Sequence, residues 1–62
     1  MKVDNLWLSA ASLLIDYMDY EADGALRCAA GRDFKGSLQH QEAFKRNRDK
    51  LQKMIEEAQN NA

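Results

Sequence analysis

One segment of this chain is apolar on too many sides to be the ordinary stripe of a surface helix. Six large apolar side chains fall within residues 6–15, whose other positions are Ser and Ala: Leu6, Trp7, Leu8, Leu13, Leu14 and Ile15. A surface helix needs one apolar stripe, so a helix that is apolar around most of its girth must be covered around most of its girth. With 62 residues, much of that cover must come from a second copy. The segment therefore predicts an obligate helical oligomer.

The rest of the composition indicates a single all-α domain over residues 1–62. Good helix formers dominate, whereas the chain has one Val, two Ile, no Thr and no Pro. The lone Cys28 cannot form an intrachain disulfide and fits the reducing cytoplasm. The apolar run is shorter than the ~20 residues that cross a bilayer, and no cleavage site for a secretory signal follows it. We expect a cytoplasmic protein without a membrane segment.

The first helix is predicted over about residues 5–30. Asp4 or Asn5 would cap its start and Gly31 its end. Gly24 lies inside the helix and predicts either a kink or a break into residues 5–22 and 25–30. Apolar or small residues recur every three or four positions, which is the helical period: Trp7, Ala11, Leu14, Met18, Ala22, Ala25 and Ala29.

A second helix is predicted over about residues 37–60, after a connection at 31–36 that is bracketed by glycines. Ser37 would be its N-cap. Its stripe is thin and is interrupted by Asn47 and Arg48: Phe44, Leu51, Met54 or Ile55, and Ala58. An antiparallel hairpin closed about this connection would place residue n roughly opposite residue 67 − n.

The two helices are unequal, because the first offers more apolar surface than the second can cover. Burying one large side chain is worth about 1.5–3 kcal/mol, whereas a small domain is stable by only about 5–15 kcal/mol. Two hairpins that pair their first helices would form a homodimeric four-helix arrangement. The predicted dimer core consists of Leu6, Trp7, Leu8, Ala11, Leu14, Ile15 and Met18.

Charge is divided between the two halves of the chain. Residues 1–24 contain one Lys against five Asp or Glu, and residues 25–62 contain eight Lys or Arg against five Asp or Glu. In the predicted register the acidic cluster at 16–23 lies beside the basic cluster at 45–53. We expect exposed pairs of this kind, each worth about 0–1 kcal/mol, to favour that register.

No constellation predicts catalysis, a metal or a cofactor. Residues 19–24 match the opening of a calcium loop, but Arg27 and Ala30 stand where the later ligands should be. His40 and Cys28 are too few for a structural zinc site. Cys28 fits a small core residue, and His40 is expected to be exposed. We expect a protein that is not an enzyme.

Two surfaces are candidates for binding. The first is acidic and aromatic and comprises Asp16, Tyr17, Asp19 and Tyr20; it would contact a protein partner, unless its two tyrosines are half-buried contacts of the dimer itself. The second is basic, within residues 44–53, and would contact DNA as a small regulator: Lys45, Arg46, Asn47, Arg48, Lys50 and Lys53. The near-neutral overall charge favours the protein-interaction module over the DNA-binding alternative.

In overall build the chain resembles the short helical accessory proteins of lambdoid phage early regions. The likeness lies in its length, the Met1-Lys2 start, the long apolar helix and the charged, Gln- and Lys-rich second helix. The resemblance implies a cytoplasmic dimer that regulates host or phage proteins by contacting them. It assigns no functional residue.

Overall fold

The computed structural model is an antiparallel hairpin of two long α-helices, and it describes residues 3–60. Helix α1 spans Asn5–Ala30 and helix α2 spans Phe34–Asn60. The all-α hairpin predicted from the sequence is confirmed. The molecule measures 46 × 18 × 10 Å, and its radius of gyration is 14.2 Å. A compact domain of this length would have about 11 Å, so the single chain is a flat rod. Within the described residues, neither helix holds an apolar stretch long enough to cross a membrane.

Helix α1 begins and ends at the predicted signals. The Asp4 carboxylate accepts a hydrogen bond from the Trp7 backbone N–H at 2.9 Å and thereby caps the first turn. Gly31 is the C-cap. The helix runs through Gly24 without interruption, so the break considered at this glycine does not occur.

The turn between the helices closes as a Schellman motif. The Arg32 N–H donates to the Ala29 carbonyl at 3.0 Å, and the Asp33 N–H donates to the Cys28 carbonyl at 2.8 Å. The left-handed position of this motif is taken by Arg32, with φ 64°, although glycine is the residue that adopts it without cost. The adjacent Gly31 has an ordinary φ of −84°.

Helix α2 begins three residues earlier than predicted, at Phe34. Asp33 performs the capping role that was assigned to Ser37, because its carboxylate accepts the Gly36 N–H at 2.9 Å. Ser37 instead lies inside the helix and is 4% exposed. Its hydroxyl donates to the Ala25 carbonyl across the helix pair at 2.9 Å.

The earlier start changes the register of the hairpin. The predicted connection at 31–36 shrinks to a turn centred near Arg32, so residue n lies roughly opposite residue 64 − n rather than 67 − n. The Ser37–Ala25 hydrogen bond and a His40–Glu21 contact agree with this register to within three residues. In this register the acidic cluster at 16–23 lies opposite about residues 41–48, so it overlaps only the first part of the basic cluster, at 45–48, and the full alignment that was predicted is wrong. Two Arg ion pairs join residues of the same helix: Arg27–Asp23 at 2.9 Å on α1 and Arg48–Asp49 at 3.3 Å on α2.

The helices meet along most of the predicted stripes, but Ala29, the last member on α1, is exposed. Ala11 is 8% exposed, and the other members that face α2 are half-buried: Trp7, Leu14, Met18, Ala22 and Ala25. On α2 the half-buried members are Phe44, Leu51, Met54 and Ala58, joined by Asn47, whereas Ile55 is exposed. Of the described residues only Ala11 and Ser37 are fully buried, so one hairpin encloses almost no core.

Candidate functional site

An apolar groove runs between the helices near the turn, on one side of their contact. Its volume is about 490 Å³, and it is open to solvent along its length. The groove exists because the α1 residues along it are small alanines, and Phe44 forms much of the opposite wall. The lining residues are Glu21, Ala22, Ala25, Leu26, Ala29, Ser37, Gln41, Phe44, Lys45 and Arg48. An apolar floor with cationic side chains along one wall is a surface that a helix could occupy.

A second apolar strip, which we call the tyrosine face, lies on α1 on the other side of the helix contact. It consists of Leu6, Leu13, Tyr17 and Tyr20. Leu6, Leu13 and Tyr20 are seven residues apart, so they lie along one edge of the helix. Leu6 is 79% and Tyr20 67% exposed, and Leu13 and Tyr17 are about half exposed. Two of the four predicted partner-surface residues, Tyr17 and Tyr20, thus belong to a larger apolar strip.

The two aspartates predicted with these tyrosines do not share one position relative to them. At 100° per residue, Asp16 lies about 40° from Tyr20 and borders the tyrosine face. Asp19 lies about 100° from Tyr20 and points away from it. Both are exposed. The structure therefore places Asp16 at the border of the tyrosine face and leaves Asp19 away from it.

His40 is half-buried between the helices, which corrects the prediction that it is exposed. Its Nδ1 lies 2.6 Å from Glu21 Oε2, and the ring meets Tyr20 edge-on with centroids 6.2 Å apart. The ring packs directly over Gly24, where a Cβ would lie 2.8 Å from His40 Cε1. Gly24 is thus the site of a close approach between the helices. The sequence alone gave no signal that joined these positions, apart from the unexplained glycine inside a helix.

The calcium-loop pattern lies on a continuous helix, where its acidic side chains point in different directions. Glu21 faces α2 and contacts His40, whereas Asp23 pairs with Arg27 at 2.9 Å on the outer surface. Among residues 3–60 no three His, Cys, Asp or Glu side chains are close enough together to hold a metal ion. Cys28 is a free, half-buried thiol.

The predicted nucleic-acid residues do not form one surface. Asn47 is half-buried against α1, and Lys45 and Arg48 line the groove. Arg46, Lys50 and Lys53 share the outward side of α2 by their helical spacing. Arg48 also contacts Asp49 at 3.3 Å. The positive charge is therefore distributed around the helix rather than concentrated on one recognition face.

The predicted dimer-core residues separate into two groups. Trp7, Ala11, Leu14 and Met18 face α2 of the same chain. Leu6, Leu8 and Ile15 are exposed, by 79%, 51% and 47% respectively. The Trp7 Nε1 atom is buried and has no hydrogen-bond partner in the part of the chain that the structure describes. That this set contributes to a dimer stays a prediction.

No protein-family model, curated protein or solved structure matches this chain. The surfaces described above are accordingly assigned from the residues and their geometry.

Proposed function

We propose that this chain is a small helical interaction module that is not an enzyme and that works as a homodimer of hairpins. The observation that carries the proposal is the exposed apolar surface of the single hairpin. Large apolar side chains are exposed on both sides of the helix contact, on α1 and on α2, and the described core reduces to Ala11 and Ser37. Contiguous apolar surface of this kind marks interaction sites.

The accessible surface of the chain supports self-association quantitatively. One hairpin exposes 4857 Å². A folded monomer of 7.1 kDa is expected to expose about 4,100 Å². The excess of roughly 750 Å² is close to the ~800 Å² that each partner contributes to a standard interface.

A dimer that covers one side of the hairpin leaves the other side for a partner. The tyrosine face combines apolar and amphipathic aromatic side chains, and Asp16 borders it. Its chemistry fits a helix of another protein whose apolar stripe is bordered by Lys or Arg. A regulatory accessory role through protein contact, as in the phage early-region proteins that the chain resembles, is consistent with this division. The free thiol of Cys28 fits a cytoplasmic location.

Sedimentation equilibrium at micromolar concentration tests the proposal. We expect a dimer mass and a helical far-UV circular dichroism spectrum. A folded 7.1 kDa monomer would refute the proposal. A gel-shift titration with mixed-sequence duplex DNA tests the alternative function, because DNA binding through lysines and arginines weakens steeply with salt. Strong, salt-sensitive retardation would replace the protein-interaction proposal with DNA binding.

A further inference from the structure

The groove continues along the hairpin as two rows of residues spaced by seven. Ala22 and Ala29 line the groove on α1, and Ile15 and Leu8 lie seven residues apart in the same row. A seven-residue step turns a straight helix by only about 20° from its starting direction, so the four residues share one edge. The side chains of this row are large in its first half and small in its second half. Leu8 and Ile15 project as exposed knobs, and the two alanines leave the groove.

The matching row on α2 consists of Phe34, Gln41, Arg48 and Ile55. Gln41 and Arg48 line the groove, and the exposed Phe34 and Ile55 lie seven residues outside them at either end. This row has apolar ends and a polar middle. Each row therefore presents a pattern that a second copy of itself could complement when turned end for end.

Turning a second copy about a point between Met18 and Asp19 places Leu8 over the second copy's Ala29 and Ile15 over the second copy's Ala22. Large side chains then meet small ones at every position of the row, which is the arrangement that fills a helix interface. The same operation about a point between Phe44 and Lys45 brings Phe34 to Ile55 and Gln41 to Arg48.

A single twofold axis satisfies both rows. The Ser37–Ala25 and His40–Glu21 contacts fix how α1 and α2 are aligned. The midpoint of the α1 row lies between Met18 and Asp19. Because both helices rise by the same distance per residue, these contacts place that midpoint opposite residues 42–44 of α2. That is within about two residues of the midpoint of the α2 row. Two independent rows thus give one symmetry centre, as a closed twofold dimer requires.

We infer that the groove is occupied by the knobs of a second copy of this chain, packed antiparallel so that the two turns lie at opposite ends of a four-helix bundle. The inference rests on the proposed self-association and specifies its geometry. Leu8 and Ile15 of each chain enter the alanine-lined groove of the other, so the contact occurs twice. In a dimer with both turns at the same end, the grooves of the two chains would face each other. No large side chain would then fill either groove.

Distance measurements between spin labels separate the two arrangements. The Cys28→Ser, Lys35→Cys chain carries one label near the turn, at a position with no described side-chain contact. In the antiparallel dimer the two labels are about 30 Å apart along the bundle axis, whereas turns at the same end bring them to one level, within about 20 Å. The matched control, Cys28→Ser with Asp19→Cys, carries its label beside the proposed axis. It should give a short distance in both cases.

A size exchange tests the knob-and-groove contact itself. Ile15→Ala leaves a cavity and Ala22→Ile overfills the groove, so each single variant should weaken dimerisation at least about tenfold. The double variant carries its knob at 22 and its space at 15, and it should regain affinity to within about threefold of the original. Circular dichroism checks that each variant is helical.

The outcomes distinguish the two proposals. A monomer in the sedimentation experiment removes both the proposed function and this inference. A dimer whose Lys35→Cys labels lie within about 20 Å, or whose double variant loses affinity additively, keeps the proposed function and overturns the antiparallel packing. If a variant of the size exchange is not helical, the label distances alone decide.

Discussion

Gly24→Ala should destabilise the protein, although the same substitution inside an ordinary helix is stabilising. Alanine is favoured over glycine in a helix interior by about 1 kcal/mol. At this position, however, the new Cβ would lie 2.8–2.9 Å from three atoms of the His40 ring. The ring must move, and its movement breaks the 2.6 Å contact with Glu21.

The magnitude follows from the two opposing terms. A hydrogen bond to a charged group is worth about 1.5–3 kcal/mol. The His40 and Glu21 side chains are 31% and 19% exposed, so solvent reduces this contribution toward the lower part of that range. With the propensity gain subtracted, we expect Gly24→Ala to cost about 1 kcal/mol. In a domain of this size that cost lowers the melting temperature by about 4–8 °C.

A double-mutant cycle isolates the cause. In a His40→Ala background the obstructing ring is absent, so Gly24→Ala should stabilise by about 1 kcal/mol, and the coupling energy should be about 2 kcal/mol. Urea unfolding followed by far-UV circular dichroism measures all four chains. The protein concentration must be equal in each experiment, because self-association makes apparent stability depend on it. Equal stabilisation by Gly24→Ala in both backgrounds would show that the His40 ring is not held over Gly24.

Three further variants test other local features. Arg32→Gly should stabilise the fold by about 1 kcal/mol, because Arg32 holds a left-handed φ of 64°. Thermal unfolding measures this gain. The control is Gly31→Ala, which should not destabilise the fold by a comparable amount because Gly31 has a φ of −84°. Asp33→Ala should cost about 1 kcal/mol in urea unfolding through loss of the α2 cap, whereas unchanged stability would contradict the assigned cap. Asp16→Lys combined with Tyr17→Ser reverses the charge beside the tyrosine face and should leave the dimer mass unchanged in sedimentation. Dissociation of the dimer would show that this face lies in the dimer interface instead.

Local signals predicted most of the helical architecture, and non-local contacts explain where the prediction was wrong. Asp4 and Gly31 act within a few residues of their own positions, so the bounds of α1 could be predicted. Asp33 and Ser37 are both good N-cap residues in sequence, and only the folded turn selects Asp33. That choice shortened the connection by three residues and shifted the whole register of the hairpin.

The placement of His40 could not be predicted because its partner lies far away in the sequence. Glu21 is 19 residues from His40, and nothing in either local pattern links them. Gly24 carried the relevant signal, but a glycine inside a helix is equally compatible with a kink, a break and a close approach. Only the register of the hairpin decides among these, and the register itself depended on the turn.

The apolar residues at the start of α1 point in three directions, and the hairpin itself covers one of them. Trp7 and Leu14 face α2 of the same chain. Leu8 and Ile15 lie on the groove side, where we place the second copy. Leu6 and Leu13 lie on the tyrosine face, beyond both contacts. A helix that served only to hold the hairpin together would need apolar side chains only on the side of Trp7 and Leu14, which faces α2. Because the other two directions are equally apolar, the sequence of α1 is better explained by three packing contacts than by one, and only the first of them is satisfied within a single chain.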